Sequence, residues 1–361
     1  MTKQLFLKGI EIDNFKSFNK FTTNEFGQIN LITGKNNSGK TSLLEAIYLN
    51  LGPTNPNLWL NINVRRGLDR VSPQQSTAQY LFHKLNISKP LKFKVHTHEN
   101  LINELVIKLI DPSSYQVLRT NQGNGLNKEW EAIQSAEPEK KVTIELTFTP
   151  AQGNKIVNKA FIENGKIEFD GDNSPVYRGG IFLTRSELKT TEEEIARYDK
   201  VNKANELNVF ENTLKVIEPK LIRTSLGMEN DRTMIYADVG YGLMPLSTLG
   251  AGSGRLSSIL LSLASAREGI VLVDEIENGF HYSLHEKVWS AIGHFVKEYK
   301  CQFFATTHSK ECIESAIEVF GTDNNIDFRL HRLDKKEDKT QLFTFDEEQI
   351  KAAIETGWEV R

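Results

Sequence analysis

The residues best suited to chemistry lie in a glycine-rich segment near the N-terminus. Residues 34–41 read GKNNSGKT and match the pattern G-x-x-x-x-G-K-[ST] at every fixed position. Glycines let such a loop wrap closely around a phosphate, so that backbone amides and the positive end of a following helix point at it. Lys40 is then expected to reach the β- and γ-phosphates of ATP, and the Thr41 hydroxyl to bind Mg2+. The predicted nucleotide-binding residues here are Gly34, Lys35, Asn36, Asn37, Ser38, Gly39, Lys40, Thr41 and Ser42.

Two carboxylates end a second segment of interest. Residues 269–275 read GIVLVDE, and an unbroken apolar run of this kind is typical of a strand buried on both faces of a parallel sheet. Ligands in such sheets bind beyond the carboxyl ends of the strands. Asp274 is therefore expected to hold the metal, directly or through water. Glu275 is expected to polarise the water that attacks the γ-phosphate.

Histidines follow two of the apolar runs. Residues 301–307 predict a third strand, which would place His308 where it contacts the γ-phosphate or orients the attacking water. Cys301, at the start of that run, is expected to be a core thiol. His281 and His285 are four residues apart on a predicted helix, but no third ligand has a matching spacing, so no metal site is predicted there.

The elements that position these side chains appear as hydrophobic periodicities. Residues 7–15 alternate between apolar and polar, and residues 29–33 form a short apolar run that ends at Gly34. Both segments are predicted to be strands. Helical spacing then runs from Leu43 to Leu51 and stops at Gly52 and Pro53. Strand, glycine loop and helix form the context that the phosphate-binding motif requires.

The middle of the chain changes from strand-like to helix-like patterns. Alternation over residues 91–170 predicts half-exposed antiparallel strands, with a tight hairpin at Asn164 and Gly165 and a loop over residues 171–180. A capping box formed by Thr191 and Glu194 predicts the start of a helix. Helical spacing continues to about Leu226, interrupted at Pro219, and leaves room for at most about five heptads of coiled coil.

Composition excludes several classes of protein. The chain has 361 residues, with 24 Gly, 10 Pro and 2 Cys, so it is neither collagen-like nor a disulfide scaffold. It contains no run of about eighteen apolar residues and its N-terminus does not read as a signal peptide. A cytoplasmic protein without a membrane partner is expected.

The net charge of −3 conceals an uneven distribution. Residues 51–98 carry seven basic residues against one acid, a charge of +6, which leaves −9 for the rest of the chain. A basic segment on an acidic body can attract nucleic acid locally. A solvated loop with basic ends explains the same numbers, and both alternatives stay open.

Together, these motifs resemble the ABC-type ATPase heads of the OLD, RecF and SMC branch, and most closely the stand-alone AAA ATPases of types fifteen and twenty-one. The resemblance implies an α/β P-loop NTPase fold with a mixed sheet, in which residues 1–361 form one composite head. A β-rich lobe at 91–180, a helical insertion at 186–228 and a lobe at 229–361 would be its parts. The stretches that carry the resemblance are residues 12–18 (IDNFKSF), 29–47, 246–261, 269–281 (GIVLVDEIENGFH), 305–309 (ATTHS) and 355–361 (ETGWEVR).

The resemblance also implies that a signature stretch of one subunit completes the ATP site of another, as a homodimer or higher oligomer. Glycines ahead of a helix suit this task, since they permit close approach to phosphate. The stretch departs from the usual L-S-G-G-[QE] spelling, so either Ser247 or Ser253 is the serine that touches the γ-phosphate. Residues 277–281 would form the loop across the dimer axis. The signature residues expected at the nucleotide are Ser247, Gly250, Gly252, Ser253 and Arg255, and the candidates for a Mg2+-sensing glutamine are Gln74, Gln75 and Gln79.

Three functions fit these expectations. The first is an ATPase switch of a bacterial or phage-encoded defence system that controls an effector, a nuclease or toxin, encoded nearby. This fits the short helical insertion and the lack of a Toprim-like acidic cluster after His308. The second is a RecF-like DNA-repair ATPase whose residues 51–98 lie on duplex DNA. The third is a slow, nucleotide-gated scaffold, although Glu275 argues against a wholly inactive site.

Overall fold

The computed structural model describes the chain in several stretches: residues 7–55, 58, 62, 77–110, 142–163, 166–170, 179–184, 192–229, 231–321, 325–337, 339–345 and 349. The strands are β1 (Leu7–Phe15), β2 (Phe18–Thr23), β3 (Ile29–Thr33), β4 (Leu91–Thr97), β5 (Ile102–Ile110), β6 (Val142–Thr149), β7 (Ile156–Glu163), β8 (Lys166–Asp170), β9 (Gly180–Leu183), β10 (Arg223–Glu229), β11 (Arg232–Asp238), β12 (Leu243–Pro245), β13 (Ile270–Val273), β14 (Gln302–Thr306), β15 (Phe328–Lys336) and β16 (Lys339–Phe345). The helices are α1 (Lys40–Leu51), α2 (Glu192–Lys203), α3 (Leu207–Leu214), α4 (Ala251–Ser265), α5 (His285–Glu298) and α6 (Lys310–Phe320).

A largely parallel sheet carries the predicted chemistry. Its strand order is β16-β15-β3-β14-β13-β9, and only the β15–β16 pair is antiparallel within it. β3, β13 and β14 are buried along their whole length, as their unbroken apolar runs predict. The sequence prediction of these three strands is confirmed. β14 lies between β3 and β13, so the carboxyl ends of all three meet at one edge of the sheet.

An antiparallel sheet of seven strands forms the second layer, with the order β2-β1-β4-β5-β6-β7-β8. In β4, buried and exposed or half-exposed side chains alternate, which confirms the predicted half-exposed strands. Glu163 pairs with Lys166 across the β7–β8 connection. The predicted hairpin residues between them, 164 and 165, lie outside the described residues, as do residues 171–178 of the predicted loop.

The helix that follows the glycine loop lies between the two sheets. α1 contacts β1 and β4 of the antiparallel sheet and β9, β13 and β14 of the parallel sheet. One hydrophobic core fills this layer and a second lies on the opposite face of the parallel sheet, under α4, α5 and α6. Ten of the twelve residues of α1 are buried, so the sequence shows little polar periodicity there.

The predicted helical segment that continues to about Leu226 is wrong in its second half. α3 ends at Leu214, and residues 223–229 form β10, which pairs with β11 throughout. Two tertiary contacts favour the strand. Glu211 accepts hydrogen bonds from the backbone N–H and the hydroxyl of Thr224, and Gly227 lies directly under the ring of Tyr236. Hairpin pairing and these side-chain contacts thus override a weak local helical pattern. Thr191 of the predicted capping box lies outside the described residues.

A search of the described helices finds none that is long and apolar enough to cross a membrane.

Candidate functional site

The glycine-rich loop connects β3 to α1, and two of its glycines are required by the backbone. Gly34 has φ +137°, and a Cβ there would lie 2.3 Å from the carbonyl oxygen of Leu333. Gly39 has φ +109°, and a Cβ there would lie 3.1 Å from the ring of Phe18. Other residues rarely adopt these φ values, and a side chain at Gly34 would clash with backbone. Both conditions explain the fixed glycines of the motif.

Lys40 is held inside this loop. The residue is 6% exposed, and its Nζ donates to the carbonyl oxygens of Gly34 at 2.7 Å and Lys35 at 2.9 Å. Burial lowers the pKa of Lys40 to about 8, while the nearby carboxylates of Asp274, Glu277 and Glu275 oppose that shift. The charges of the three acids that follow β13 therefore act on the ammonium. A phosphate would take the place of the two carbonyls as its partner.

Asp274 is connected to two other elements of the site. The Thr41 hydroxyl donates to Asp274 Oδ2 at 3.0 Å, and the Thr306 hydroxyl donates to Asp274 Oδ1 at 2.5 Å. Burial raises the pKa of Asp274, and these two hydrogen bonds oppose the increase. The structure thus brings together the hydroxyl of α1 and the carboxylate after β13, as the sequence predicted for a shared metal ion.

The oxygens of Thr41 and Asp274 suit Mg2+, which is usually held by one or two protein oxygens together with substrate phosphates and water. Among the described residues, no group of three or more His, Cys, Asp or Glu side chains could hold a metal ion by itself. In the histidine pair, the His281 Nδ1 contacts the Ser283 hydroxyl, and His285 is buried.

Glu275 adopts a left-handed backbone conformation, with φ +49°. Its backbone N–H donates to the Thr306 hydroxyl at 2.8 Å, and its Oε2 accepts from the Asn278 side chain at 2.7 Å. Backbone strain of this kind in a non-glycine residue persists only where surrounding contacts hold it. Thr306 and Asn278 supply those contacts, whereas the sequence predicted only a strand at Thr306 and a loop across the dimer axis at Asn278. The sequence signal for each contact is weak. Thr306 is simply a threonine at the end of a strand, and Asn278 is an amide three residues after Glu275.

His308 lies at the carboxyl end of β14, between the glycine loop and the acids. Its side chain is exposed, and its backbone N–H donates to Glu277 Oε1 at 2.7 Å. Ser309 caps α6 by accepting the N–H of Cys312 at 3.1 Å. Helix capping thereby fixes where the chain turns away from the site. Cys301, at the other end of the predicted run, is buried, and burial raises its pKa to about 12, as expected of a core thiol.

The predicted signature residues occupy different environments. Ser247 is exposed in a short 3-10 helix, Gly250 precedes α4 with φ +139°, and Ser253 is buried in the first turn of α4. Arg255 is 3% exposed, and its guanidinium donates to the carbonyl oxygens of Thr184 and Asp274, each at 3.0 Å. Arg255 therefore braces the end of β13 in its own chain.

The start of α4 also packs against the loop that follows the acids. A Cβ on Gly252 would lie 3.1 Å from the carbonyl oxygen of Gly279. The signature stretch and residues 277–280 are thus in direct contact within one chain. Of the glutamine candidates, Gln79 is half-buried in a short 3-10 helix, and Gln74 and Gln75 lie outside the described residues. Residues 355–361, which carry part of the resemblance, also lie outside them.

A glycine loop between a parallel strand and a helix, facing acids at the end of another strand of the same sheet, is typical of a P-loop ATPase head such as the ABC type. The chain belongs to the RecF/RecN/SMC N terminal domain family, whose sequence profile matches residues 6–327. Membership supports nucleotide binding and ATPase activity at the general level of that family.

Two curated relatives agree with this assignment. An "ATP/GTP phosphatase" of Helicobacter pylori is 24% identical over 347 residues, which cover 87% of this chain and 88% of the relative. A "DNA replication and repair protein RecF" of Idiomarina loihiensis is 47% identical over 45 residues, which cover 12% of this chain and 13% of that protein. The first likeness spans nearly the whole chain, and the second only a short stretch.

Solved structures of Smc heads share the fold. One, described as the SmcHead bound to the C-winged helix domain of ScpA, has a TM-score of 0.52 and 13% identity, covering 96% of this chain and 99% of that one. Another, an Smc head with an extended coiled coil bound to the C-terminal domain of ScpA derived from Pyrococcus furiosus, has a TM-score of 0.52 and 12% identity, covering 97% and 99%. At this identity the likeness concerns the fold alone.

Proposed function

We propose that the chain is a Mg2+-dependent ATPase switch, in which bound ATP joins subunits and its hydrolysis separates them. The hydrogen bond from the Thr41 hydroxyl to the carboxylate of Asp274, beside the buried Lys40, is the observation that carries this proposal. A phosphate-binding loop alone would indicate nucleotide binding. Acids placed within hydrogen-bond reach of that loop add the means to activate water.

Each residue has a distinct part in the proposed reaction. Lys40 holds the β- and γ-phosphates, and the backbone amides of the loop surround them. Thr41 and Asp274 would hold Mg2+, which neutralises charge that develops on the transferred phosphoryl group. Glu275 accepts a proton from the attacking water, and Asn278 orients its carboxylate. His308 lies beside the γ-phosphate from the adjacent strand end.

A second copy of the chain supplies the rest of the site in this proposal. The N-terminus of α4 has no acidic residue in its first turn, and Gly250 before it is exposed. A helix N-terminus of this kind attracts phosphate. Of the two candidate serines, Ser247 is accessible from outside, whereas Ser253 is buried. We therefore assign the contact with the other copy's γ-phosphate to Ser247.

The biological role proposed for this switch is control of an effector protein in a defence system. That part is based on the likeness of the motifs to stand-alone defence ATPases. A DNA-repair role is the second candidate, favoured by the 45-residue stretch that is 47% identical to a RecF protein. Duplex DNA that accelerates ATP hydrolysis would favour the second role, and an unchanged rate the first.

Single-turnover ATP hydrolysis tests the proposed reaction. Lys40→Ala is expected to lose ATP binding, because Lys40 is buried inside the loop, whereas Lys35 is exposed. Glu275→Gln is expected to keep ATP binding and to slow hydrolysis by about 10²- to 10⁴-fold. The matched control is Glu298→Gln at the exposed end of α5, with the wild-type rate expected. Equal rates for Glu275→Gln and the wild type would refute the proposal.

Assembly is measured separately. Light scattering of Glu275→Gln with ATP and Mg2+ is expected to show at least twice the mass seen without nucleotide, because bound ATP is retained between subunits. Ser247→Arg is expected to abolish that increase, since an exposed bulky side chain blocks the approach of a second copy. A wild-type protein that binds ATP, assembles and never hydrolyses it would instead identify a nucleotide-gated scaffold.

A further inference from the structure

The backbone amide of His308 has an unusual partner. After β14, the Thr307 N–H donates to the Ile32 carbonyl at 3.0 Å, and the Ser309 N–H donates to the Thr307 hydroxyl at 3.1 Å. The His308 N–H between them donates instead to the side chain of Glu277, at 2.7 Å. Of these three amides, His308 alone is held by a side chain from the loop after β13. The two strand ends are thereby connected at the candidate catalytic histidine.

The backbone around Glu277 is fixed on both sides. The Ile276 N–H donates to the Thr306 carbonyl at 3.0 Å, and the Phe280 N–H donates to the Glu277 carbonyl at 3.2 Å. Gly279 closes the next turn. A Cβ there would lie 3.3 Å from the carbonyl oxygen of Ala251 in α4. A carboxylate on so constrained a turn has few alternative directions. The hydrogen bond that the Glu277 carboxylate accepts from the His308 N–H therefore restrains the position of His308.

The charge of the same carboxylate acts on a buried imidazole. His285 is 4% exposed, and the backbone and charge of Glu311 act on its ring as well. The second oxygen of Glu277, Oε2, is buried without a hydrogen-bond partner among the described residues. Burial lowers the pKa of His285, and the nearby charge of Glu277 opposes that decrease. Oε1 is the oxygen of Glu277 that is engaged in a hydrogen bond, with the His308 amide.

We propose that Glu277 is a positioning residue for ATP hydrolysis, whose carboxylate holds the His308 amide so that the His308 side chain stays beside the γ-phosphate. This inference rests on the ATPase function proposed above. A hydrogen bond to a carboxylate is stronger than one to a neutral oxygen, which suits a short-range restraint on a backbone amide. Displacements of about 1 Å at a reacting centre lower rates by about 100-fold.

The charge of Glu277 also acts on Lys40, so a test has to separate two effects. Glu277→Gln retains an oxygen that can accept the His308 N–H but removes the charge. Glu277→Ala removes both. If positioning is the role, Glu277→Ala lowers kcat by about 10- to 100-fold with KM for ATP unchanged, and Glu277→Gln restores most of the loss. A loss of the same size in Glu277→Gln would assign the effect to charge and overturn the inference.

A double-mutant cycle provides the second readout. In a His308→Ala background, Glu277→Ala is expected to cause less than a twofold further loss, because the side chain that it positions is absent. Losses that multiply would show that Glu277 acts independently of His308, and would refute the inference. Thermal unfolding of each variant identifies any that fails to fold, and if Glu277→Ala does so, Glu277→Met, which keeps the side-chain length but cannot accept the His308 N–H, takes its place in both tests. A wild-type protein without ATP hydrolysis would instead refute the proposed function.

Discussion

One hydroxyl links the two acids that follow β13: Thr306 Oγ1 donates to Asp274 Oδ1 at 2.5 Å and accepts the backbone N–H of Glu275 at 2.8 Å. Thr306 is the last residue of β14, which lies between β3, the strand before the glycine loop, and β13, the strand before Asp274. The residue proposed to hold Mg2+ and the residue proposed to activate water therefore share one support. Displacing that support affects both.

The first prediction concerns Thr306→Val, which removes the hydroxyl with little change in side-chain volume. Loss of both hydrogen bonds is expected to lower ATP hydrolysis by about 10- to 100-fold, as is common for groups that orient metal ligands. The apparent Mg2+ concentration for half-maximal activity is expected to increase as well. Thr306→Ser keeps the hydroxyl and is expected to retain the wild-type rate. Equal activity of the valine and serine variants would contradict the shared-support role.

Arg255→Met tests the brace between α4 and β13. The substitution keeps an unbranched side chain but removes two charge-assisted hydrogen bonds and leaves the Asp274 and Thr184 carbonyls buried. A decrease of roughly 3 kcal/mol in the free energy of unfolding is expected from urea titration. Arg232→Met, at an exposed arginine, is the control and is expected to change stability by less than about 0.5 kcal/mol.

An alternative outcome for Arg255 has a distinct signature. If Arg255 contacts a nucleotide rather than its own chain, Arg255→Met would keep wild-type stability and lose only ATP-dependent assembly. Measuring both quantities on the same preparation separates the two roles. Stability unchanged within about 0.5 kcal/mol would contradict the bracing role.

Local sequence determines much of the fold near the nucleotide and little beyond it. The strand–loop–helix unit around Gly34 and the strand before Asp274 carry strong patterns, because burial on both faces selects continuous apolar residues. The sequence did not predict β10, because what holds this strand is its pairing with β11 and a contact with Glu211, which lies 13 residues before Thr224. Arg255 illustrates the same limit at the site. A motif can indicate an arginine, but only the fold determines which carbonyls it reaches.

Cross-strand neighbours change the interpretation of the basic segment. On the antiparallel sheet, Lys92 lies opposite Asp13, and Lys94 lies opposite Glu11 on one side and Glu104 on the other. These lysines therefore belong to a surface of alternating charge. Lys84 and Lys89 are exposed before β4, outside the strand pairs, whereas Arg65, Arg66 and Arg70 lie outside the described residues.

Lys94→Glu is predicted to destabilise the sheet, since it places a third carboxylate between Glu11 and Glu104. The expected cost is about 0.2–1 kcal/mol for each like-charge pair, measured by thermal unfolding at low salt and reduced at high salt. Lys89→Glu, which has no strand partner, is expected to leave stability unchanged. In DNA-binding titrations, Lys94→Glu is expected to leave the salt slope unchanged, because its charge is already balanced. A reduced slope would instead place DNA on this sheet.

The last prediction concerns a buried histidine on β15 whose ring contacts side chains of both neighbouring strands, β3 and β16. His331 on β15 is 0% exposed, and its ring nitrogens contact Asn30 Oδ1 on β3 at 3.1 Å and the Thr344 hydroxyl on β16 at 3.0 Å. Burial lowers the pKa of His331 to about 3, and the charge of Arg329 adds to the shift. The unfolded chain begins to protonate this imidazole near pH 6.5, whereas the folded protein keeps it neutral down to about pH 3.

Because the folded pKa lies below the ordinary value of 6.5, the unfolded state binds more protons as the pH falls below 6.5. Stability is then lost progressively down to about pH 3, by at most about 1.4 kcal/mol per pH unit. Urea unfolding between pH 7.5 and 4.5 is expected to show a shallower decrease for His331→Gln than for the wild type, although the variant is less stable at pH 7.5. His294→Gln, at an exposed histidine, is expected to retain the wild-type slope. Identical slopes for His331→Gln and the wild type would mean that His331 is protonated in the folded sheet, which its buried contacts with Asn30 and Thr344 argue against.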